Sequence, residues 1–152
     1  NIEVSGYKGE NNWALMIDPD GFIAEGTGDN FFIVKDNIIY TPEGRNILRG
    51  ISRDFVFELS EKLGLKCIEK NIEPYDVYTA DEAFMTGTPF CILPVTGLNY
   101  QTIGEGKMGA TTKYLLDSWS LEVGLDIVTQ IKEYGKEVAH LKGDSPSPYQ
   151  FK

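Results

Sequence analysis

Apolar residues along this chain fall into short runs separated by glycine, proline, asparagine and aspartate. Residues 13–18 (WALMID) form one such run and stop at Pro19-Asp20-Gly21, a strong turn signal. Residues 22–25 resume as a strand and residues 31–35 form a third. Asp36-Asn37 makes a tight turn, and residues 38–40 pair back. This spacing predicts an antiparallel meander over the first forty residues. Residues 1–12 are polar and without period, and read as a lead-in.

The period then changes. Phe55, Val56, Leu59 and Leu63 recur at helical spacing, with Ser52 placed as N-cap and Gly64 as the stop. Residues 66–72 alternate as a strand, and 74–79 suit one short helical turn. Residues 82–86 (EAFMT) and 91–95 (CILPV) read as strands, and Pro94 puts the second at an edge or a bulge. Residues 100–103 suit a further strand, before a glycine-rich turn at 104–109. Residues 111–123 read as a helix with Leu115, Trp119 and Val123 on one stripe, ended by Gly124. Residues 127–134 fit strand and helix equally. Residues 142–152 hold glycine, serine and two prolines, and are expected to be a loose tail. No repeat or linker divides the chain, so residues 1–152 read as a single domain.

Composition narrows the function classes. The 152 residues are enough for one domain that buries roughly two-thirds of its unfolded surface. A net charge of −9 and no basic stripe argue against a nucleic-acid groove or an anionic membrane partner. Backbone amides can still bind phosphate without a basic surface. No apolar run approaches the ~20 residues of a membrane span. Cys67 and Cys91 lack metal-type spacing and suit a reducing compartment, so the expected location is cytoplasmic. With His140 as the single histidine, neither a histidine-rich metal site nor a Ser–His–Asp triad is expected. The chain opens at Asn1 rather than at methionine, which fits either a mature form or a piece of a longer protein.

Three stretches carry candidate chemistry. Residues 21–30 (GFIAEGTGDN) place Glu25 at a strand end beside a turn whose glycines allow close approach of a ligand. Gly50-Ile51-Ser52 stand at a helix N-terminus, where free N–H groups, the helix dipole and the Ser52 hydroxyl can cradle a phosphate. Gly87-Thr88-Pro89 follow a strand in the same way. A single anionic, heteroaromatic ligand would use such a set. Ser52, Thr88 and nearby amides would hold a phosphate, and Glu25 a protonated ring nitrogen. A protonated pyridine is the electron sink of pyridoxal phosphate chemistry.

The order AEGTGDN, ILRGISRD and FMTGTP resembles the class IV (fold type IV) pyridoxal phosphate aminotransferases. ALMIDPDGFIAEGTGDN, TADEAFMTGT and IGEGKMGATTKYL are most similar to the branched-chain amino acid members. The resemblance implies an α+β fold, a mostly antiparallel barrel-like sheet with flanking helices, as the C-terminal cofactor-binding domain of a larger enzyme. It implies that Glu25 bonds the pyridine nitrogen and Leu48 packs on the ring. Gly50, Ile51 and Ser52, with Thr88, would bind the phosphate, and the turn Gly87, Thr88, Pro89 would meet the substrate carboxylate. Substrates would be an amino acid and a 2-oxo acid, and the assembly a homodimer or a larger homo-oligomer. Pro89 departs from the alanine common in branched-chain enzymes and lacks an N–H. The family's Schiff-base lysine would precede Asn1, as would a smaller N-terminal domain with a phosphate-binding arginine. Lys8 lacks the family's flanking Asn-Tyr and lies too near Glu25, so no catalytic residue is assigned and the isolated chain is expected to be inactive. A D-amino acid aminotransferase, an aminodeoxychorismate lyase and a non-catalytic module are the alternatives.

Overall fold

The computed structural model describes Val4 and residues 11–139. The expected lead-in falls almost wholly outside these residues, as do Lys8, His140 and the expected tail at 142–152. Nine strands and four helices occur among the described residues, in the order β1 (Leu15–Ile17), β2 (Ile23–Gly26), β3 (Asn30–Lys35), β4 (Ile38–Thr41), α1 (Ile51–Lys62), β5 (Lys66–Glu69), α2 (Pro74–Tyr78), β6 (Glu82–Gly87), β7 (Cys91–Val95), β8 (Gly97–Leu98), β9 (Gln101–Thr102), α3 (Ala110–Val123) and α4 (Ile127–Ala139).

The centre is β3. Its run Phe31-Phe32-Ile33-Val34 is buried on both faces, as an uninterrupted apolar run requires. It lies between β4 and β6 in a five-stranded sheet of order β5-β4-β3-β6-β7. Phe32 and Val34 face one way, into a core with Phe84, Val56, Leu59, Leu115, Leu116 and Trp119 supplied by β6, α1 and α3. Phe31 and Ile33 face the other way, against Ile23, Ile72, Val77, Ala80 and Ile103. Phe32 and Phe84 stand opposite each other in register and stack at 4.8 Å. The fold is α+β, as expected. β7 with Pro94 is an edge strand, which suits a residue that cannot donate to the ladder. Among the described residues the five-stranded sheet is open, with β5 and β7 as its edges.

Several local expectations need correction. The meander breaks between β2 and β3. β2 pairs with β1 in a separate ribbon, and the amide of Ile23 bonds the carbonyl of Ile72 at 2.8 Å. β5 is shorter than residues 66–72 and runs parallel to β4, the exception in an otherwise antiparallel sheet. Ile72 has left the strand in order to make that bond and is fully buried. Ser52 is not the N-cap of α1. Gly50 is, with extended backbone, and no side chain caps the helix. Gly64 does end α1: its amide reaches Glu61 and that of Leu65 reaches Ser60, a pair of bonds that needs the positive φ of Gly64. The ambiguous stretch from 127 is helix α4, opened by Asp126, whose carboxylate accepts from the Thr129 amide and hydroxyl. Val123 is exposed, so the stripe of α3 consists of Leu115 and Trp119 with Leu116 beside them.

The start of α3 is tied to the sheet. Glu82 on β6 accepts from the amides of Thr111 and Thr112 at 2.9 and 2.8 Å and from the Thr112 hydroxyl at 2.7 Å. It thus caps a helix 28 residues downstream by satisfying its orphan N–H groups. Gly109 allows this, because a Cβ there would overlap the Glu82 side chain. Glu82→Ala should lower stability by about 1–3 kcal/mol, the range for a lost cap and lost bonds to a charged acceptor. Urea unfolding at neutral pH checks it, and an unchanged midpoint would remove the cap from the account.

Candidate functional site

The turn after β2 is shaped by the buried side chain of Asp29. The Gly26 amide bonds the Asp29 carbonyl at 2.9 Å, and the Asp29 carboxyl occupies the space where a Gly26 Cβ would stand. Only glycine fits there. The turn delivers Glu25 at the end of β2 and Asn30 at the start of β3.

Asn30 is buried, and its side-chain amide donates to Glu25 Oε2 at 3.1 Å and to the Leu48 carbonyl at 2.8 Å. The Leu48 amide donates to the same Glu25 oxygen at 3.0 Å. Two donors therefore hold one oxygen of Glu25. The other, Oε1, has no hydrogen-bond partner among the described residues. Asn30 Oδ1 lies against Gly50, where a Cβ would collide with it. That contact requires glycine at the N-cap position of α1. The Ser52 hydroxyl is left free of capping. Across the sheet Asn30 pairs with Thr86, so the first stretch is also registered against Gly87 and Thr88.

These contacts bring the three stretches around one cleft of about 180 Å³. It is lined by Glu25 through Asn30, by Leu48, Gly50, Ile51 and Ser52, and by Thr86, Gly87 and Thr88. Pro89, one residue on, is exposed and outside that lining. The side chains of Leu48 and Ile51 are 78% and 89% exposed, so two apolar groups stand uncovered at the cleft. Thr86 Oγ1 is buried without a hydrogen-bond partner among the described residues. No lysine lines the cleft among the described residues. Asn30, Asp29 and Thr86 were not singled out from the sequence. The signal for Asn30 was its place five residues after Glu25, at the head of the most apolar run of the chain.

Arg53 braces the wall formed by α1. Its guanidinium is buried, donates to the Pro42 carbonyl at 3.1 Å, pairs with Glu69 at 2.5 Å, and lies over the Phe57 ring at 5.0 Å. Burial pushes the Cys67 thiol up to about 12 despite the nearby Arg53 charge and Ser60 hydroxyl, so it is no nucleophile at neutral pH. No group of three or more metal-ligating side chains occurs among the described residues, and none of their helices is long and apolar enough to cross a membrane.

Comparison with known proteins defines the class. The family model for class IV amino-transferases matches residues 7–98, and the chain belongs to that family. It is similar to the branched-chain-amino-acid aminotransferase of Pseudomonas aeruginosa, at 41% identity over 127 residues, covering 84% of this chain and 38% of that protein. The Escherichia coli K12 branched-chain-amino-acid aminotransferase is 39% identical over 100 residues, covering 65% and 32%. The match falls in the C-terminal region of such relatives. Among solved structures, the Thermobaculum terrenum branched-chain enzyme in its PLP form superposes with a TM-score of 0.72 at 34% identity, covering 80% of this chain and 39% of that one. The T.th. branched-chain enzyme with pyridoxamine 5'-phosphate gives 0.68 at 36% identity, covering 71% and 36%. This chain thus spans between about a third and two-fifths of the length of the relatives it matches.

Asn30→Ala should release both Glu25 and the 48–50 loop. Each lost bond to a buried or charged group costs about 1–3 kcal/mol. Amide hydrogen exchange at Leu48 should accelerate by at least about tenfold, since 1.4 kcal/mol is a factor of ten. Unchanged exchange at Leu48 would mean that Asn30 does not hold the site.

Proposed function

We propose that this chain is the C-terminal, cofactor-binding part of a pyridoxal phosphate-dependent aminotransferase acting on branched-chain amino acids and 2-oxoglutarate. The observation that carries the reading is the single cleft onto which Glu25, the α1 N-terminus and the Gly87-Thr88 turn converge. The names of the relatives supply the substrate class.

The residues present fit the cofactor. Glu25 keeps one oxygen locked by Asn30 and Leu48 and presents the other as an acceptor for a protonated ring nitrogen. A carboxylate beside that nitrogen favours its charged form. Ile51 and Ser52 present an amide and a hydroxyl at the positive end of a 12-residue helix, where a phosphate is stabilised. Thr88 adds a second hydroxyl, and Leu48 an apolar surface for a ring. Gly87 and Thr88 retain amides that can meet a substrate carboxylate, whereas Pro89 has none to offer. When bound, the cofactor supplies an electron sink for the pair left on an amino acid's α-carbon.

The proton-transferring lysine is assigned to an N-terminal region outside this chain. That region would also cover the exposed Trp13, Met16, Ile17, Leu48 and Ile51. The enzyme it completes is expected to be a cytoplasmic homodimer or larger homo-oligomer.

The 152-residue chain should bind pyridoxamine 5'-phosphate non-covalently in isothermal titration, and Glu25→Gln and Ser52→Ala should each weaken binding by about tenfold, the factor for one lost charge-assisted bond. With pyridoxal phosphate, borohydride should leave no stoichiometric adduct on any lysine of this chain, and transamination should be undetectable. Binding indifferent to both substitutions, or turnover by the chain alone, would contradict the reading.

A further inference from the structure

The cleft turn holds two neighbouring carboxyl groups in opposite environments. Glu25 is half-buried, and one of its oxygens is fixed by the Asn30 side chain and the Leu48 amide. Asp29 is only 6% exposed, and neither of its carboxyl oxygens has a hydrogen-bond partner among the described residues. It packs on the Cα of Gly26, a residue with no donor to offer from that face.

The charged form of a carboxyl buried without donors is heavily penalised. Burial is accordingly the main influence raising the Asp29 carboxyl above the ordinary carboxylate range. The Gly28 amide nearby opposes this without being aligned to bond, and the Glu25 charge adds to it. Among the described residues, Glu25 is the one charged group that bears on Asp29.

We propose that Asp29 is a positioning residue: its carboxyl, buried without a donor against Gly26, stays neutral over a pH range in which the exposed aspartates are already charged, so that there the turn presents one negative charge to the cleft, on Glu25, rather than two. Two charges on adjacent sites would repel, and the flexible glycine turn would relieve the strain by moving Glu25 off its donors. A single charge leaves Glu25 seated on Asn30 and Leu48. The neutral carboxyl fills the space beside Gly26 and keeps the turn closed. This rests on the reading that Glu25 meets a ring nitrogen, although the protonation of Asp29 can be measured without any ligand.

The test is a pH titration of the full 152-residue chain carrying carbon-13 at the aspartate carboxyls, followed by nuclear magnetic resonance. Asp29→Asn identifies the Asp29 signal by its loss. Should that variant not fold, backbone-linked assignment of the unaltered chain identifies it instead. Asp29 should take up and lose its proton at higher pH than the exposed aspartates. Glu25→Gln should shift its titration to lower pH, because a repelling charge has gone. A merely space-filling Asp29 would show neither behaviour.

Stability gives an independent sign. The unfolded chain ionises Asp29 near pH 4 and the folded chain does so later. The contribution of Asp29 is therefore intact below about pH 4 and falls as pH rises through the interval between the two values. The unaltered chain should lose stability relative to Asp29→Asn across that interval. Ionisation of Asp29 together with the exposed aspartates, or indifference of its titration to Glu25→Gln, would overturn the proposal. Failure of pyridoxamine 5'-phosphate to bind would instead remove the cofactor reading and leave the titration of Asp29 standing.

Discussion

The side-chain amide of Asn30 is the contact on which the cleft depends. From one buried position at the head of β3 it holds Glu25, the carbonyl of Leu48 and, by sheer proximity, the glycine that opens α1. Its register against Thr86 places the Gly87-Thr88 turn beside the same cleft. An amide suits this place because it donates two hydrogens in fixed directions while its oxygen remains compact enough to lie against Gly50. The three stretches are far apart in the chain. Without this residue, only the Leu48 amide bond to Glu25 and the sheet ladder would tie them to one another.

The rest of the fold serves that arrangement. β3 is buried on both faces, so its start cannot drift, and α1 and α3 are pinned to the sheet by Arg53 and Glu82. Rigid strand ends with helix N-termini beside them form a site from backbone geometry as much as from side chains. Among the described residues, the buried side-chain polar groups left without partners are Asp29 and Thr86 Oγ1 at the cleft, with Ser60 and Arg53 Nε behind α1. Unsatisfied groups destabilise a fold, and their concentration at a cleft is what a site held ready for a ligand shows.

Much of this was legible in the sequence, for identifiable reasons. Turn chemistry marked the ends of most elements: Asp36-Asn37 adopt the paired positive φ values of a tight hairpin, and Gly64 and Gly124 stop their helices. Pro94 named an edge strand. What failed depended on contacts distant in sequence. The meander broke because Ile23 bonds Ile72 instead of β3. The N-cap is Gly50 rather than Ser52, and Asn30, packed beside it, leaves room there for no side chain. The parallel pairing of β5 leaves no local trace. Glu25, Ser52 and Thr88 could be picked out because their residue types carry chemistry; Asn30 and Asp29 act on other residues, and only their neighbours in space reveal them.

The central claim is geometric, and crystals of the 152-residue chain soaked with pyridoxamine 5'-phosphate test it most directly. The account predicts the ring nitrogen within hydrogen-bonding distance of Glu25 Oε1, the ring against Leu48, and the phosphate at the Ile51–Ser52 end of α1. Electron density for the ligand elsewhere, or in this cleft with its phosphate turned toward Glu25, would contradict it.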